Sequence, residues 1–241
     1  MKDIGEFKEF DLEGEENLRA IAAADQFNHW MYSQIQPYCK GKILEIGSGI
    51  GNISRFFVEN KQDIDLSDIR NQYRSYLRKK FSSRQCIDID IVGENFDIVH
   101  AEKIGTYDAI FALNVVEHIK DDRMALLNMV KLLKPGGNIV ILVPAYQYLY
   151  NGFDRALEHF RRYTKYTLMA IFPNNAQLVK TWHFNFAGIF GWFLVGTIFR
   201  KKVIPESNMR VYNVLTPLFK LADKVVCNSM GLSVIAVYQK K

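Results

Sequence analysis

With 241 residues, 49% of them hydrophobic, the chain can bury one substantial core, and no Gly-, Ser- or Pro-rich linker divides it, so a single domain over 1–241 is expected. Its three cysteines, Cys39, Cys86 and Cys227, lie far apart without metal-ligand spacing, which argues for a reducing compartment and against a metal site. The net charge of +5 is scattered in short clusters, Arg78-Lys79-Lys80, Arg161-Arg162 and Arg200-Lys201-Lys202, each expected on a solvated face, and such dispersed basicity does not make a nucleic-acid surface.

The start, Met1-Lys2-Asp3-Ile4-Gly5-Glu6, has no apolar core of a signal peptide, so a cytoplasmic location is expected. Leu18, Ile21, Ala22, Met31 and Ile35 then share one stripe of an N-terminal helix pair over Glu15 to Gln36, ended by Pro37. A strand from Lys42 to Ile46 breaks into Gly47-Ser48-Gly49-Ile50-Gly51-Asn52, and a helix-forming segment from Ile53 to Glu59 follows. Glycine suits such a turn because it has no Cβ and tolerates positive φ, which lets backbone approach a ligand closely. Strand two is expected over Asp63 to Ser67, followed by an amphipathic helix with Tyr73, Leu77 and Phe81 at helical spacing. Cys86, Ile87 and Ile89 mark strand three, and Ala109 to Leu113 mark strand four. A helix from about Arg123 to Leu133, the turn Lys134-Pro135-Gly136-Gly137 and strand five, Ile139 to Val143, come next. Strands alternating with helices and reading as continuous apolar runs predict an α/β fold, its mostly parallel sheet covered on both faces. Ligands of such sheets lie beyond the carboxyl ends of the strands, where the glycine turn stands.

Asn52 occupies the place of the third glycine of a dinucleotide fingerprint, and no Gly-Lys-Ser/Thr follows, which counts against NAD, FAD and a P-loop. The spacing Glu45-x-Gly47-x-Gly49-x-Gly51 resembles motif I of the class I S-adenosylmethionine-dependent methyltransferases. Tyr107 to Ile119, with Leu132-Leu133-Lys134-Pro135-Gly136-Gly137, resembles motifs IV to VI of the small-molecule members, and the likeness is strong from about Phe27 to Val143. It implies a Rossmann-like seven-stranded sheet with an antiparallel last strand, and S-adenosyl-L-methionine as cofactor. Asn28-His29-Trp30, Val143-Pro144-Ala145 and His159-Phe160-Arg161-Arg162-Tyr163-Thr164 are further similar to bacterial methyltransferases associated with cell-envelope sugar or lipid pathways.

The resemblance places the cofactor on Glu45, Gly47, Ser48, Gly49, Gly51 and Asn52. Asp68 is expected to accept both ribose hydroxyls, with Asp63 and Asp65 as rivals, and Asp90 to face the adenine amino group, with Asp88 as the alternative. Asn114 would lie beside the methionine portion or the methyl group.

Methyl transfer from a sulfonium requires in-line alignment and exclusion of water, and positioning of this kind supplies about 7–11 kcal/mol. A hydroxyl acceptor also needs its proton removed, which a placed base assists by roughly 10²–10⁴-fold. His159, in a polar and aromatic loop after strand five, is the expected base, and His118 is the second candidate, with a hydrogen-bonded structural role as its alternative. Tyr146, Asp154, Arg161, Arg162 and Tyr163 are expected at the substrate, the two arginines holding an anionic group. A salt-bridged lid that touches no substrate is the competing reading. Nucleic acid is not an expected partner: Asn114-Val115-Val116-Glu117 stands where DNA amino-methylating enzymes have Asn/Asp-Pro-Pro-aromatic, and no Cys-Pro nucleophile occurs there.

Gln177 to His183 and Leu232 to Tyr238 read as strands six and seven, separated by a helical insertion over about 184–230. Its first part, Phe186 to Phe199, is apolar on all sides but too short for a bilayer span, which needs about twenty residues. Three readings stand: a buried helix roofing the substrate pocket, a homodimer contact, or an interfacial segment at a membrane surface. Each permits an apolar or lipid-linked acceptor. Tyr212, Leu215, Leu218, Phe219 and Leu221 suggest a second helix packed on the first. Two function classes remain, a methyltransferase acting on a small-molecule, sugar-linked or lipid-linked acceptor, and a non-catalytic methyltransferase-like binding module.

Overall fold

The computed structural model describes residues 12–199 and 205–241, so the expectations on Met1 to Glu6 and on Arg200-Lys201-Lys202 lie outside the described residues. The expected N-terminal pair is α1 (Leu12–Ala22) and α2 (Asp25–Ile35), and Pro37 closes α2 through a short 3₁₀ turn. There follow β1 (Ile43–Ile46), α3 (Ser54–Glu59), β2 (Ile64–Ser67), α4 (Asn71–Lys80), β3 (Cys86–Ile87) and α5 (Phe96–Val99). Next come β4 (Tyr107–Leu113), α6 (Asp122–Leu132), β5 (Leu133–Pro144), α7 (Gly152–Ala156) and α8 (Lys165–Met169). The chain ends with β6 (Ala176–Phe184), α9 (Phe186–Trp192), α10 (Glu206–Val225) and β7 (Ser233–Lys240).

The seven strands form one sheet in the order β3-β2-β1-β4-β5-β7-β6, with β1 to β5 parallel and β7 antiparallel to both of its neighbours. The fold is the expected Rossmann-like one. Strand order reverses between β1 and β4, which opens a crevice at their carboxyl ends. Both faces are covered because successive side chains alternate. Leu44, Ile110, Ala112 and Ile141 pack on one side with Leu126, Met129 and Val130 of α6. Ile43, Ala109, Phe111 and Val140 pack on the other with α2, α3 and α4 through Ile35, Phe57 and Leu77.

Two elements depart from the pattern read in the sequence. Lys134-Pro135-Gly136-Gly137 is not a separate turn but a bulge inside β5, which pairs Leu133 with Tyr107 and Asn138 with Ala109, and Gly136 takes φ 78° there. Strand three stops at Ile87, so Ile89 is buried from a loop and not from the sheet.

The insertion is anchored at both ends. Asp223 near the end of α10 accepts the Asn185 N–H at 2.8 Å and the Phe186 N–H at 2.6 Å, while the Asn185 side chain accepts from Gly188 N–H and from the Tyr212 hydroxyl. α10 also reaches the N-terminal helices: Met209 clusters with Ala20 and Ala24, and Tyr212 meets Phe27 edge-on at 5.4 Å.

Candidate active site

The glycine turn is built by close packing. Gly47, Gly49 and Gly51 have φ of 72°, 54° and 75°. A Cβ at Gly47 would stand 2.5 Å from Val115 Cγ2, and one at Gly51 2.5 Å from Phe81 Cε2, so neither position admits a side chain. The turn is thereby pressed between the loop after β4 and the end of α4. Above it lies α1, whose Leu18 carbonyl accepts from Asn52 Nδ2 at 2.9 Å and whose Leu18 side chain faces Gly49.

Asp68, just past β2, is buried with one oxygen accepting from Gly49 N–H and the other from Arg70 N–H, both at 2.9 Å. Burial pushes its carboxyl up, against these two bonds. Each carboxylate oxygen carries a second acceptor position, so the group can still take a diol. Two of the alternatives are otherwise engaged: Asp65 accepts from the Tyr107 hydroxyl at 2.9 Å, and Asp88 pairs with Arg74 at 2.9 Å. Asp90 is exposed, with one oxygen on the Val92 N–H at 3.1 Å.

Glu45, inside β1, is buried. Its carboxyl bonds the Ser54 hydroxyl at the start of α3 and is pushed up to about 7 by burial, with Ser54 and Ser48 opposing. Ser48 accepts the Ser67 N–H at 3.2 Å, tying the turn to β2. Asn114, at the exposed mouth of β4, takes φ 53° with its N–H on the Leu142 carbonyl.

Beyond Asn114 the loop carries Glu117 and His118 into a buried polar cluster completed by the segment after β5. Asn151 and Asp154 form a capping box on α7, which fixes the Asp154 carboxylate inward. That carboxylate holds His159 Nδ1 and Arg162 Nε, each at 2.8 Å. Burial pushes the Asp154 carboxyl up, but His159 and Arg162 outweigh it and hold it below the usual range. With Nδ1 occupied, His159 directs Nε2 toward Glu117 Oε1, 3.9 Å away, and its ring meets His118 edge-on at 4.6 Å. Burial lowers His118 to about 3, so its ring is neutral. Glu117 is fully buried, neither of its oxygens has a hydrogen-bond partner, and burial raises it to about 7.

The structure ties several of the expected substrate residues to partners within the chain. Asp154 and Arg162 are buried and spent on each other, and Arg162 also donates to the Ala145 carbonyl at 3.1 Å and covers the Trp192 ring at 4.6 Å. Arg162 is therefore not on a solvated face. Arg161 and the Tyr163 hydroxyl both bind Asp122 Oδ2, at 2.7 and 2.9 Å, which ties the segment to the start of α6. The polar ends of these four side chains are thus engaged within the chain, in the manner of the salt-bridged alternative. Tyr146 remains half-buried at φ 63°, stacked between Tyr148 and His183. Glu117, Asp122 and Trp192 had no part in the sequence-level site, although Glu117 adjoins His118 in the segment most like the family.

The insertion is not a buried roof throughout. α9 runs on into a π-helical stretch, Phe193–Ile198, whose inner stripe packs on the loop after β5. Trp192 Nε1 donates to the Leu149 carbonyl at 3.2 Å, and a Cβ at Gly196 would meet Asn151 Nδ2 at 2.5 Å. The outer stripe, Phe190, Phe193, Leu194, Ile198 and Phe199, is exposed, with Phe190 at 63%. On α10, Val214, Leu218 and Leu221 are exposed while Tyr212 and Phe219 pack inward on each other. Among the described residues, no helix is long and apolar enough to cross a membrane.

Residues 44–139 match a family of methyltransferase domains. A ubiquinone biosynthesis O-methyltransferase of Xanthomonas oryzae pv. oryzae is 21% identical over 149 residues, which are 57% of this chain and 62% of that protein. A highly reducing polyketide synthase of Strobilurus tenacellus is 28% identical over 113 residues, 42% of this chain and only 4% of that protein. Among solved structures, a phosphoethanolamine N-methyltransferase of Haemonchus contortus, in complex with S-adenosylhomocysteine, superposes with a TM-score of 0.62 at 15% identity. The alignment covers 99% of this chain and 59% of that one. A SAM-dependent methyltransferase from Archaeoglobus fulgidus gives 0.56 at 18% identity over 89% of this chain and 94% of that one. Residues 44–139 are thus matched by a methyltransferase domain, and the sheet has the fold of the S-adenosylmethionine-dependent methyltransferases on which the chain superposes. The groups at the β1–β4 crevice suit that cofactor: a glycine turn closed to side chains, and a buried carboxylate with acceptor positions left for a ribose.

Proposed function

We propose that this chain transfers the methyl group of S-adenosylmethionine to a hydroxyl of a small-molecule, sugar-linked or lipid-linked acceptor. The observation that carries the reading is the Asp154–His159 pair aimed at Glu117 beside the mouth of β4. The cofactor supplies an electrophilic methyl carbon, and its sulfur leaves with the bonding electron pair as the acceptor oxygen attacks. The chain's own contribution is placement and proton removal. Asp68 would hold the ribose, with the glycine turn beneath and Leu18 of α1 above, and Asn114 would border the methyl group. Asp154 fixes the Nδ1–H tautomer of His159, which leaves Nε2 as the proton acceptor, and Glu117 lies close enough to share the charge. An amine acceptor would need only to arrive neutral, so a buried histidine–carboxylate pair supports oxygen as the nucleophile.

The acceptor class is supported by the outer stripe of α9 and its continuation, which exposes aromatic and aliphatic side chains and is followed by Arg200-Lys201-Lys202 in the sequence. Such a face suits peripheral contact with an anionic membrane, where a lipid-linked acceptor would be found. In the competing reading, a non-catalytic module, nothing would require a base beside the β4 mouth.

The test is calorimetry with S-adenosylmethionine on wild type and Asp68→Ala, followed by transfer of a labelled methyl group to hydroxylated lipid and sugar acceptors. Micromolar binding lost in Asp68→Ala, with label appearing as a base-stable ether, is expected. Absence of binding in the folded wild type would sink the proposal, and label on nitrogen alone would replace the hydroxyl with an amine.

A further inference from the structure

Glu117, His118 and His159 each turn one ligating atom into the same space, and the three atoms lie within 4.8 Å of one another. Around an ion with tetrahedral bonds of about 2.0–2.2 Å, adjacent ligand atoms are about 3.3–3.6 Å apart, so a closure of up to about 1.5 Å by side-chain rotation would seat one. A second, independent feature points the same way. Both Glu117 oxygens are fully buried and unpartnered, an arrangement that costs several kcal/mol unless something cationic or a donor meets them.

The surroundings are also those of ligating imidazoles. His159 is held from behind by Asp154, and the Leu157 backbone hydrogen-bonds to His118. Carboxylate or carbonyl partners of this kind orient a histidine ring and raise its basicity toward a metal. His118 is half-buried while the other two are buried.

We propose that Glu117, His118 and His159 bind one divalent transition-metal ion, of the Zn²⁺, Co²⁺ or Mn²⁺ kind, with coordination positions left open toward the acceptor. Two imidazoles and a carboxylate with open positions are a donor set suited to those ions and poorly matched to Ca²⁺. The ion deepens the methyl-transfer reading and rests on it for its role: it would make an acceptor hydroxyl that reached it more acidic, the proton passing to solvent water, and His159 Nε2 would then hold the ion instead of taking that proton itself.

The experiment is titration of chelator-treated protein with Co²⁺ and Zn²⁺, followed by calorimetry and by the visible absorption of Co²⁺, in wild type, Glu117→Gln and His118→Ala. His118, being half-buried, is the safer substitution for folding, and circular dichroism confirms the fold of each variant. One ion per chain in wild type, at least 10-fold weaker in both variants, is expected. Failure of wild type to bind any of Zn²⁺, Co²⁺ and Mn²⁺ while binding S-adenosylmethionine normally would overturn the metal site, leave water as the partner of Glu117, and leave methyl transfer standing. Equal binding in folded Glu117→Gln and His118→Ala would place the ion elsewhere and overturn the site as well. Stoichiometric Co²⁺ lost in both variants, in a protein that does not bind S-adenosylmethionine, would support the site and overturn the methyl-transfer reading alone.

Discussion

Glu117, Asp154, His159 and Arg162 are buried between β4 and the segment after β5, while a few residues outward Phe190, Phe193, Leu194, Ile198 and Phe199 stand in solvent. The two regions are in contact, since Trp192 of the insertion lies over the Arg162 guanidinium. Each inverts the ordinary sorting of polar and apolar side chains. The inner group is tolerated because Asp154 bonds both His159 and Arg162, while both Glu117 oxygens and Arg162 Nη2 stay without a hydrogen-bond partner. The outer group needs no partner within the chain because its own inner stripe already holds the insertion. Strain in the first region is chemical and in the second interfacial, so substitutions in the two should separate cleanly.

The largest expected effect is on turnover. His159→Asn should lower the methyl-transfer rate by roughly 10²–10⁴-fold while leaving the dissociation constant for S-adenosylmethionine unchanged, since the ring contacts Asp154, Glu117 and His118 and no residue of the glycine turn. Steady-state rates against calorimetric affinity make the check. Near-normal turnover would show the inner cluster to be framework only.

Next is stability. Asp154→Ala strands a buried guanidinium and should cost about 3–5 kcal/mol, lowering Tm by about 10 °C in a domain of this size. The double variant Asp154→Leu with Arg162→Met should recover most of that loss, because charge and countercharge vanish together. Thermal melts of the two variants decide whether pairing or packing governs the region.

Third is pH dependence. Burial holds Glu117 up to about 7, so the folded chain keeps this proton where the unfolded chain has released it. Its share of stability is therefore fully present below the unfolded value near 4.5 and falls as pH rises to about 7, by on the order of 3 kcal/mol. Glu45 adds a slope of the same sign. In metal-free protein, urea midpoints at pH 5 and pH 8 should differ less for Glu117→Gln than for wild type.

The smallest effect on stability belongs outside. Phe190→Ser and Leu218→Ser should change it by no more than about 0.5 kcal/mol, yet reduce co-sedimentation with vesicles containing anionic phospholipid. Unchanged sedimentation would remove the membrane contact, and a shift of a dimer to monomer in analytical ultracentrifugation would assign the face to a second copy.

The sequence showed the inner half of the crevice more clearly than either of these regions. A glycine that tolerates positive φ and an acid ending a strand are local signals, so Gly47, Gly49, Gly51 and Asp68 were legible, as were all seven strands. The post-β5 segment was not. Asp154, His159 and Arg162 look alike whether they face solvent or one another, and only the capping box at Asn151 decides which. Phe186 to Phe199 was opaque for the opposite reason: a segment apolar on every side carries no periodicity to say which face is turned out.

Helix α1 has a further consequence. Its Leu18 rests on Gly49, and Ala20 on the same helix packs with Met209 of α10. A displacement of α10 would thus be passed by α1 to the glycine turn, and a nucleoside held on that turn would sit beneath the same helix.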